Sequence, residues 1–299
     1  MKFSISQSSR QGGRRYNQDR LAYAYGRDAL LMVVADGMGG HFHGELAAQI
    51  AVQMLTDTFR KQLGVPLNAP QEFLYDGLLN AHHAINDYAQ AHRLSESPRT
   101  TCVACVVQGD HAWWAHAGDS RLYYFRDGKP LYRTRDHSLV QQLFEQGRIS
   151  AAQMATHPER NKIYSCLGGN HPPDVELSQE VAMRDNDVLL LCSDGLWGQL
   201  DIGEISAILD HFPLATALPQ LMDHAELRGG EKGDNLSAVA LRWGDESRFF
   251  SERAISAATV PLGSSSLTSL EDFFSSAGDS KEIEQAVSEI QDIIKKYSR

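Results

Sequence analysis

Asp36, Asp194 and Asp234 are the residues of this chain whose types and settings could do chemistry. Asp36 follows the apolar run LLMVVA and precedes a glycine. Asp194 follows DVLLLCS and also precedes a glycine, and Asp234, followed by Asn235, opens the run LSAVAL. A carboxylate at the end of a buried strand is held rigidly and points off the edge of a sheet. A single Asp-Gly is an ordinary turn signal, so the weight lies in the repetition. Three such carboxylates brought together repel one another. Hard divalent cations, which take oxygen ligands and keep several waters, relieve that repulsion. An arginine beside them could grip a phosphate with two parallel hydrogen bonds, and GGRRYNQDR supplies one just ahead of Asn17, Gln18 and Asp19. A fifth carboxylate, Asp119 of AGDSR, falls in what reads as a hairpin between two strands.

The elements that must position these groups are short apolar runs at 3–6, 21–25, 30–35, 102–107, 112–117, 122–125, 188–192 and 236–243. Turn pairs such as Gly109-Asp110 and Asp127-Gly128 separate several of them, which favours antiparallel hairpins. Two long helical patterns interrupt the strands. One carries Leu46, Ile50, Met54, Phe59 and Leu63 at helical spacing, and the other covers roughly 70–92. Two further helices are expected near 203–210 and 214–227. Strands pooled with helices between blocks give an α+β fold: a two-sheet antiparallel sandwich with helices packed outside. The polar stretch 146–170 reads as a long functional loop.

Of the 299 residues, 42% are apolar, enough for one large domain with a sizeable core. The net charge of −10 comes with no basic stretch, which argues against nucleic acid as a partner. The start MKFSISQSSRQGGRR lacks an apolar signal region, and the longest apolar run, near 29–35, is too short for a membrane span, so a soluble, cytoplasmic protein with no membrane association is expected. Four cysteines are too few for a disulfide scaffold. Cys102 and Cys105 form a C-x-x-C on a strand pattern, where positions three apart face opposite sides, and they read as buried thiols. From residue 245 the chain turns serine-rich, with twelve serines and no strand pattern. That divides it into a catalytic domain over 1–244, a linker over 245–278 and a C-terminal amphipathic helix over 279–299. Asp279 and Glu282 form a capping box there, and Ile283, Val287, Ile290, Ile294 and Tyr297 make a short apolar seam. Such a helix would bind a partner, a second copy of the chain or the catalytic domain itself, or else be a surface helix that docks weakly or frays.

Five ordered motifs carry a resemblance: G-x-R-x-x-N-Q-D at 12–19, VVADGMGGH at 33–41, AGDSR at 117–121, LCSDGLWG at 191–198 and GDNLS at 233–237. Together they resemble the metal-dependent protein phosphatases of type 2C, with DGMGGH in the bacterial form. The family fold is a four-layer αββα sandwich. The resemblance implies that Asp36 bridges two Mn²⁺ or Mg²⁺ ions, that the Gly37 carbonyl serves one of them and that Asp194 and Asp234 serve the other. It also implies that Asp19 supports the metal waters from behind, that Asp119 helps hold a weaker third ion, that Arg14 binds the phosphate and that 146–170 is the flap beside the site. The chain departs from the usual pattern at Gln18, where the family often has Glu. The implied substrate is a protein phosphorylated on serine or threonine by a bacterial kinase.

A water bridging two such ions loses a proton near neutral pH and can attack phosphorus in line, with Arg14 and the metals stabilising the phosphoryl oxygens. His41 is the candidate acid for the leaving alkoxide. Three rivals are weaker. His41 and His43 form an H-x-H without a third soft ligand nearby. Gly118-Asp119-Ser120 suggests a serine esterase, but no D-x-x-H follows it. A catalytically silent binding module would be expected to lack one of the aspartates.

Overall fold

The computed structural model describes residues 1–38, 44–244, 246, 249, 289 and 291–297. Its strands are β1 (Phe3–Arg10), β2 (Asp19–Tyr25), β3 (Ala29–Met38), β4 (Arg99–Thr100), β5 (Cys102–Gln108), β6 (His111–Ala117), β7 (Arg121–Arg126), β8 (Lys129–Arg133), β9 (Leu167–Gly168), β10 (Glu176–Leu177), β11 (Val181–Ala182), β12 (Val188–Cys192) and β13 (Leu236–Trp243). Its helices are α1 (Gly44–Lys61), α2 (Pro70–Ala91), α3 (Leu139–Glu145), α4 (Ala151–Met154), α5 (Asp194–Trp197), α6 (Ile202–His211) and α7 (Leu214–Gly229).

The central strands are apolar along most of their length because each faces a core on both sides. In β3, Leu31, Val33 and Ala35 pack with α1 and α2, while Leu30, Met32 and Val34 pack into the space between the sheets. In β12, Leu190 and Cys192 face α5, α6 and α7, and Leu189 and Leu191 face the other sheet. This alternation produces three stacked cores and therefore four layers, helix–sheet–sheet–helix. One sheet has the order β1-β13-β12-β7-β8; the other runs β10-β6-β5-β3-β4-β9, with β2 on β3 and β11 on β6. The α+β sandwich of antiparallel sheets read from the sequence is the observed architecture.

Two local expectations change. Asp119 does not lie in a hairpin: β6 belongs to the larger sheet and β7 to the smaller, so Gly118 to Ser120 is the chain's crossing between sheets. Strand propensity marks both strands but carries no information about which sheet each one joins. The cluster Leu122, Tyr124, Leu189 and Val34 between the layers decides that. Asp194 is also not at a strand tip. β12 stops at Cys192, Ser193 precedes the helix, and Asp194 is the first residue of α5.

Cys102 and Cys105 are buried on opposite faces of β5, in different cores, and burial alone pushes the Cys102 thiol up to about 12. Between α3 and β10 the segment 146–170 holds the single-turn helix α4 and the short strand β9. At the chain's end, residues 289 and 291–297 are helical. Ile294 is buried with the α1–α2 core, Tyr297 Oη donates to Asp87 (2.7 Å) and His92 meets Glu289 (2.7 Å). Asp279, Glu282, Ile283, Val287 and Ile290 lie outside the described residues. None of the described helices is long and apolar enough to cross a membrane.

Candidate metal centre

The antiparallel register of β2 and β3 sets Asp19 directly opposite Asp36, and cross-strand partners share a face. Thr101 N–H (2.8 Å) and the Thr100 hydroxyl (2.9 Å) both donate to the Asp36 carbonyl, fixing its backbone. Gly37 must be glycine: a Cβ there would stand 2.2 Å from the Gly44 carbonyl oxygen, where α1 begins. The Asp36 carboxyl lies close enough to those of Asp19 and Asp194 for their charges to act on it. Ser193 Oγ donates to Asp19 (2.7 Å) and accepts from Ser237 N–H (3.0 Å), so one hydroxyl ties β2 and β13 to the start of α5 at the carboxylates.

Gly195 lets the third strand approach. A Cβ on it would be 1.9 Å from the Asn235 carbonyl oxygen, so α5 and the start of β13 can touch only through a bare backbone. Asn235 then fastens the N-terminal loop, its Nδ2 donating to Gln11 O (2.7 Å) and Tyr16 O (2.9 Å) while its Oδ1 accepts from Gln18 N–H (2.8 Å). This brings Arg14 to the rim, where its guanidinium meets Asp234 at 2.6 Å.

Asp119 is gripped through its backbone from two directions. Trp197 Nε1–H donates to the Asp119 carbonyl (2.9 Å), and Gly118 N–H donates to His137 Nδ1 (3.2 Å). Trp197 is itself held by Arg121, whose guanidinium carbon sits 3.5 Å from its ring centroid. Arg121 in turn makes a two-pronged pair with Asp136 (2.8 and 2.7 Å). The loop carrying Asp119 is therefore coupled to the helix that carries Asp194.

Asp36, Asp119, Asp194, Asp234, Arg14 and Gln18 line one cavity of about 570 Å³. Burial, reinforced by Asp19 and Asp194, holds the Asp36 carboxyl well above the ordinary carboxylate range. Asp194 is raised in the same way, by burial and then by Asp119 and Asp234. Asp19 is pushed up to about 6, chiefly by burial and against the Ser193 hydrogen bond, and Asp119 to about 7, by burial and the charge of Asp136. One buried oxygen of Asp19 and one of Asp194 have no hydrogen-bond partner. An unpaired buried carboxylate oxygen is costly, and an all-oxygen donor set of this kind suits a hard divalent cation. The chain's own residues thus fit Mg²⁺ or Mn²⁺.

Asp19, Asp36, Gly37, Asp119, Asp194, Asp234 and Arg14 lie together at this end of the sandwich, while His41 and His43 lie outside the described residues. Sequence reasoning missed Thr100, Thr101, Ser193 and Trp197. The hydroxyls and indole act through the backbone or through another carboxylate, and their only sequence signal is position beside a motif. A second cluster joins His116, His137 and Glu176. There His137 Nδ1 accepts the Gly118 N–H, so the ring's proton sits on Nε2, facing Glu176 at 3.7 Å, and that nitrogen has no lone pair for a metal. Ser120 is buried with its hydroxyl 2.6 Å from that of Thr101, which removes the esterase reading.

The sandwich and its aspartate cluster define a metal-dependent phosphatase. The family model of protein phosphatase 2C matches residues 7–229, and the chain belongs to that family. It is 34% identical over 226 residues to the serine/threonine protein phosphatase PstP of Mycobacterium tuberculosis, covering 75% of this chain and 42% of that one. It is 30% identical over 230 residues to the serine/threonine phosphatase stp of Listeria monocytogenes, covering 76% and 90%. Among solved structures, the S. agalactiae serine/threonine phosphatase superposes with a TM-score of 0.72 at 28% identity over 80% of this chain and 99% of that one. The catalytic domain of PstP, crystallised with two manganese ions, does so with a TM-score of 0.68 at 29% identity over 80% and 97%.

Proposed function

We propose that this phosphatase hydrolyses phosphoserine and phosphothreonine in proteins at a pair of Mn²⁺ or Mg²⁺ ions, with Asp36 and the Gly37 carbonyl, Asp194 and Asp234 as ligands, Asp19 behind them and Asp119 at a weaker third ion. The observation that carries this reading is the pair of partnerless buried oxygens on Asp19 and Asp194 beside Asp36. Bound there, the ions supply a lowered water pKa and positive charge toward the phosphoryl oxygens. The protein's own part is positional. Arg14 stands at the mouth of the cavity with a planar fork suited to two phosphoryl oxygens. Asn235 and the Gln18 backbone hold the loop that presents it. His41 is the proposed donor of a proton to the departing serine or threonine oxygen. The relatives' printed names support serine/threonine phosphoproteins as substrates, and in this reading those substrates are a cognate kinase or its targets. Residues 1–244 form the catalytic domain in this reading, with 245–278 as linker and 279–299 as a helix able to engage a partner.

A silent binding module is disfavoured because every aspartate of the cluster is in place. The test is hydrolysis of p-nitrophenyl phosphate and a phosphothreonine peptide with and without Mn²⁺, for the natural chain and Asp194→Ala. Metal-dependent turnover that the substitution abolishes is the expected result. Turnover that needs no metal would overturn the assignment.

A further inference from the structure

Behind the metal centre a second cavity of about 650 Å³ opens between the flap and α5, sharing Arg14, Asp119, Asn161, Asp194 and Asp234 with the first. The rest of its lining has the opposite character. Arg133 from β8, Arg160 from the segment after α4 and Lys232 ahead of β13 line it, together with the apolar side chains of Val140, Met154 and Trp197. Among the described residues no carboxylate stands within ion-pair distance of these three cations. The carboxylates lining this cavity are Asp119, Asp194 and Asp234, at the metal end, and Asp136, which is taken up by Arg121. In a chain of net charge −10, three cations without ion-pair partners lining one cavity beside apolar side chains are not a general surface property.

We propose that this cavity is a subsite for an anionic side chain of the phosphoprotein, a carboxylate or second phosphate within a few residues of the phosphoserine or phosphothreonine at the metal centre. The inference rests on the aspartate cluster being the phosphoryl site, since the two cavities meet there. Guanidinium groups pair with carboxylate or phosphate in the same fork geometry. An extended peptide advances about 3.3 Å per residue, so a neighbouring side chain can enter the second cavity while the scissile phosphate occupies the first. Val140 and Met154 would take the stem of that side chain and Arg133, Arg160 and Lys232 its charged end. The site thus selects acidic or doubly phosphorylated stretches.

The test compares kcat/KM for phosphothreonine peptides with alanine flanks, with glutamates before or after the phosphothreonine, and with a second phosphothreonine in those places. Each protein's rate on p-nitrophenyl phosphate, which carries no flanking residue, is the reference. With about 1.5- to 5-fold from each partly exposed charge pair and one pair for each of the three cations, an acidic flank on one side should raise kcat/KM about 3- to 125-fold over alanine. A second phosphate that outperforms glutamate identifies diphosphorylated stretches as the ligand source; equality identifies acidic sequence. The triple substitution Arg133→Gln, Arg160→Gln and Lys232→Gln should bring the ratio to below about twofold. In the natural chain the ratio should shrink as NaCl rises from about 0.05 M to about 0.5 M. No acidic preference in the natural chain, or a preference that survives salt or the substitutions, overturns the subsite. Loss of metal-dependent p-nitrophenyl phosphate hydrolysis in the natural chain would instead overturn the phosphoryl site itself.

Discussion

Trp197→Phe isolates the grip on Asp119. The substitution keeps an aromatic face beneath Arg121 but removes the indole N–H that donates to the Asp119 carbonyl at 2.9 Å. A hydrogen bond of this kind contributes about 0.5–1.5 kcal/mol net. If all of that holds the Asp119 loop in its ion-binding position, the affinity of the weakest metal falls about 2- to 12-fold, at about 1.4 kcal/mol per factor of ten. The Gly118–His137 hydrogen bond remains and keeps the loop from collapsing. The assay is Mn²⁺ titration of p-nitrophenyl phosphate hydrolysis. The concentration for half-maximal rate should rise by that factor in Trp197→Phe, with the plateau nearly restored at high Mn²⁺. Asp119→Ala should lose the weak-metal phase altogether. If Trp197→Phe titrates like the natural chain while Asp119→Ala does not, the indole does not position Asp119.

Three further outcomes are expected. In the metal-free chain Asp19 and Asp119 are raised to about 6 and about 7. A carboxyl raised on folding stabilises the fold while protonated, a contribution fully present below the ordinary value near 4 and lost as pH rises through 6–7. Saturating Mn²⁺ should therefore raise Tm more at about pH 7.5 than at about pH 5 in thermal melts, and an equal shift at both would contradict the cluster's electrostatics. Gly195→Ala pushes a methyl to 1.9 Å from a carbonyl oxygen that belongs to backbone and cannot swing away. It should cost at least about 2 kcal/mol and lower Tm by about 5 °C or more, and an unchanged melt would show that α5 and β13 can part freely. Removing residues 245–299 exposes the surface that Ile294 covers on the α1–α2 layer and leaves every aspartate of the cluster in the chain. Turnover of p-nitrophenyl phosphate should stay largely intact with a Tm a few degrees lower; its collapse in a folded core would assign the tail a part in catalysis.

The principal strands and helices were legible in the sequence because their patterns are local. Runs such as 188–192 and 236–243 coincide with β12 and β13, and the helical spacing of Leu46, Ile50, Met54 and Phe59 marks the face of α1 that is buried. The edge strand β8 (Lys129–Arg133), mostly exposed, carries no apolar run and was not anticipated. The candidate site was legible as motifs: Asp36-Gly37 closes the apolar run of β3, Asp194-Gly195 follows β12 and Asp234-Asn235 precedes β13.

Tertiary structure decided what those motifs could not express. Asp19 and Asp36 are seventeen positions apart, and only the β2–β3 register puts them face to face. Asp119 reaches the cluster because β6 and β7 belong to different sheets, a choice made by the core between the layers. Thr100, Thr101, Ser193 and Trp197 matter through hydrogen bonds that span up to 174 positions in sequence. The amino-acid sequence sets periodicity, turn chemistry and the inventory of carboxylates. The distances among them, and the burial that makes their charge costly without a cation, exist only once the two sheets have stacked.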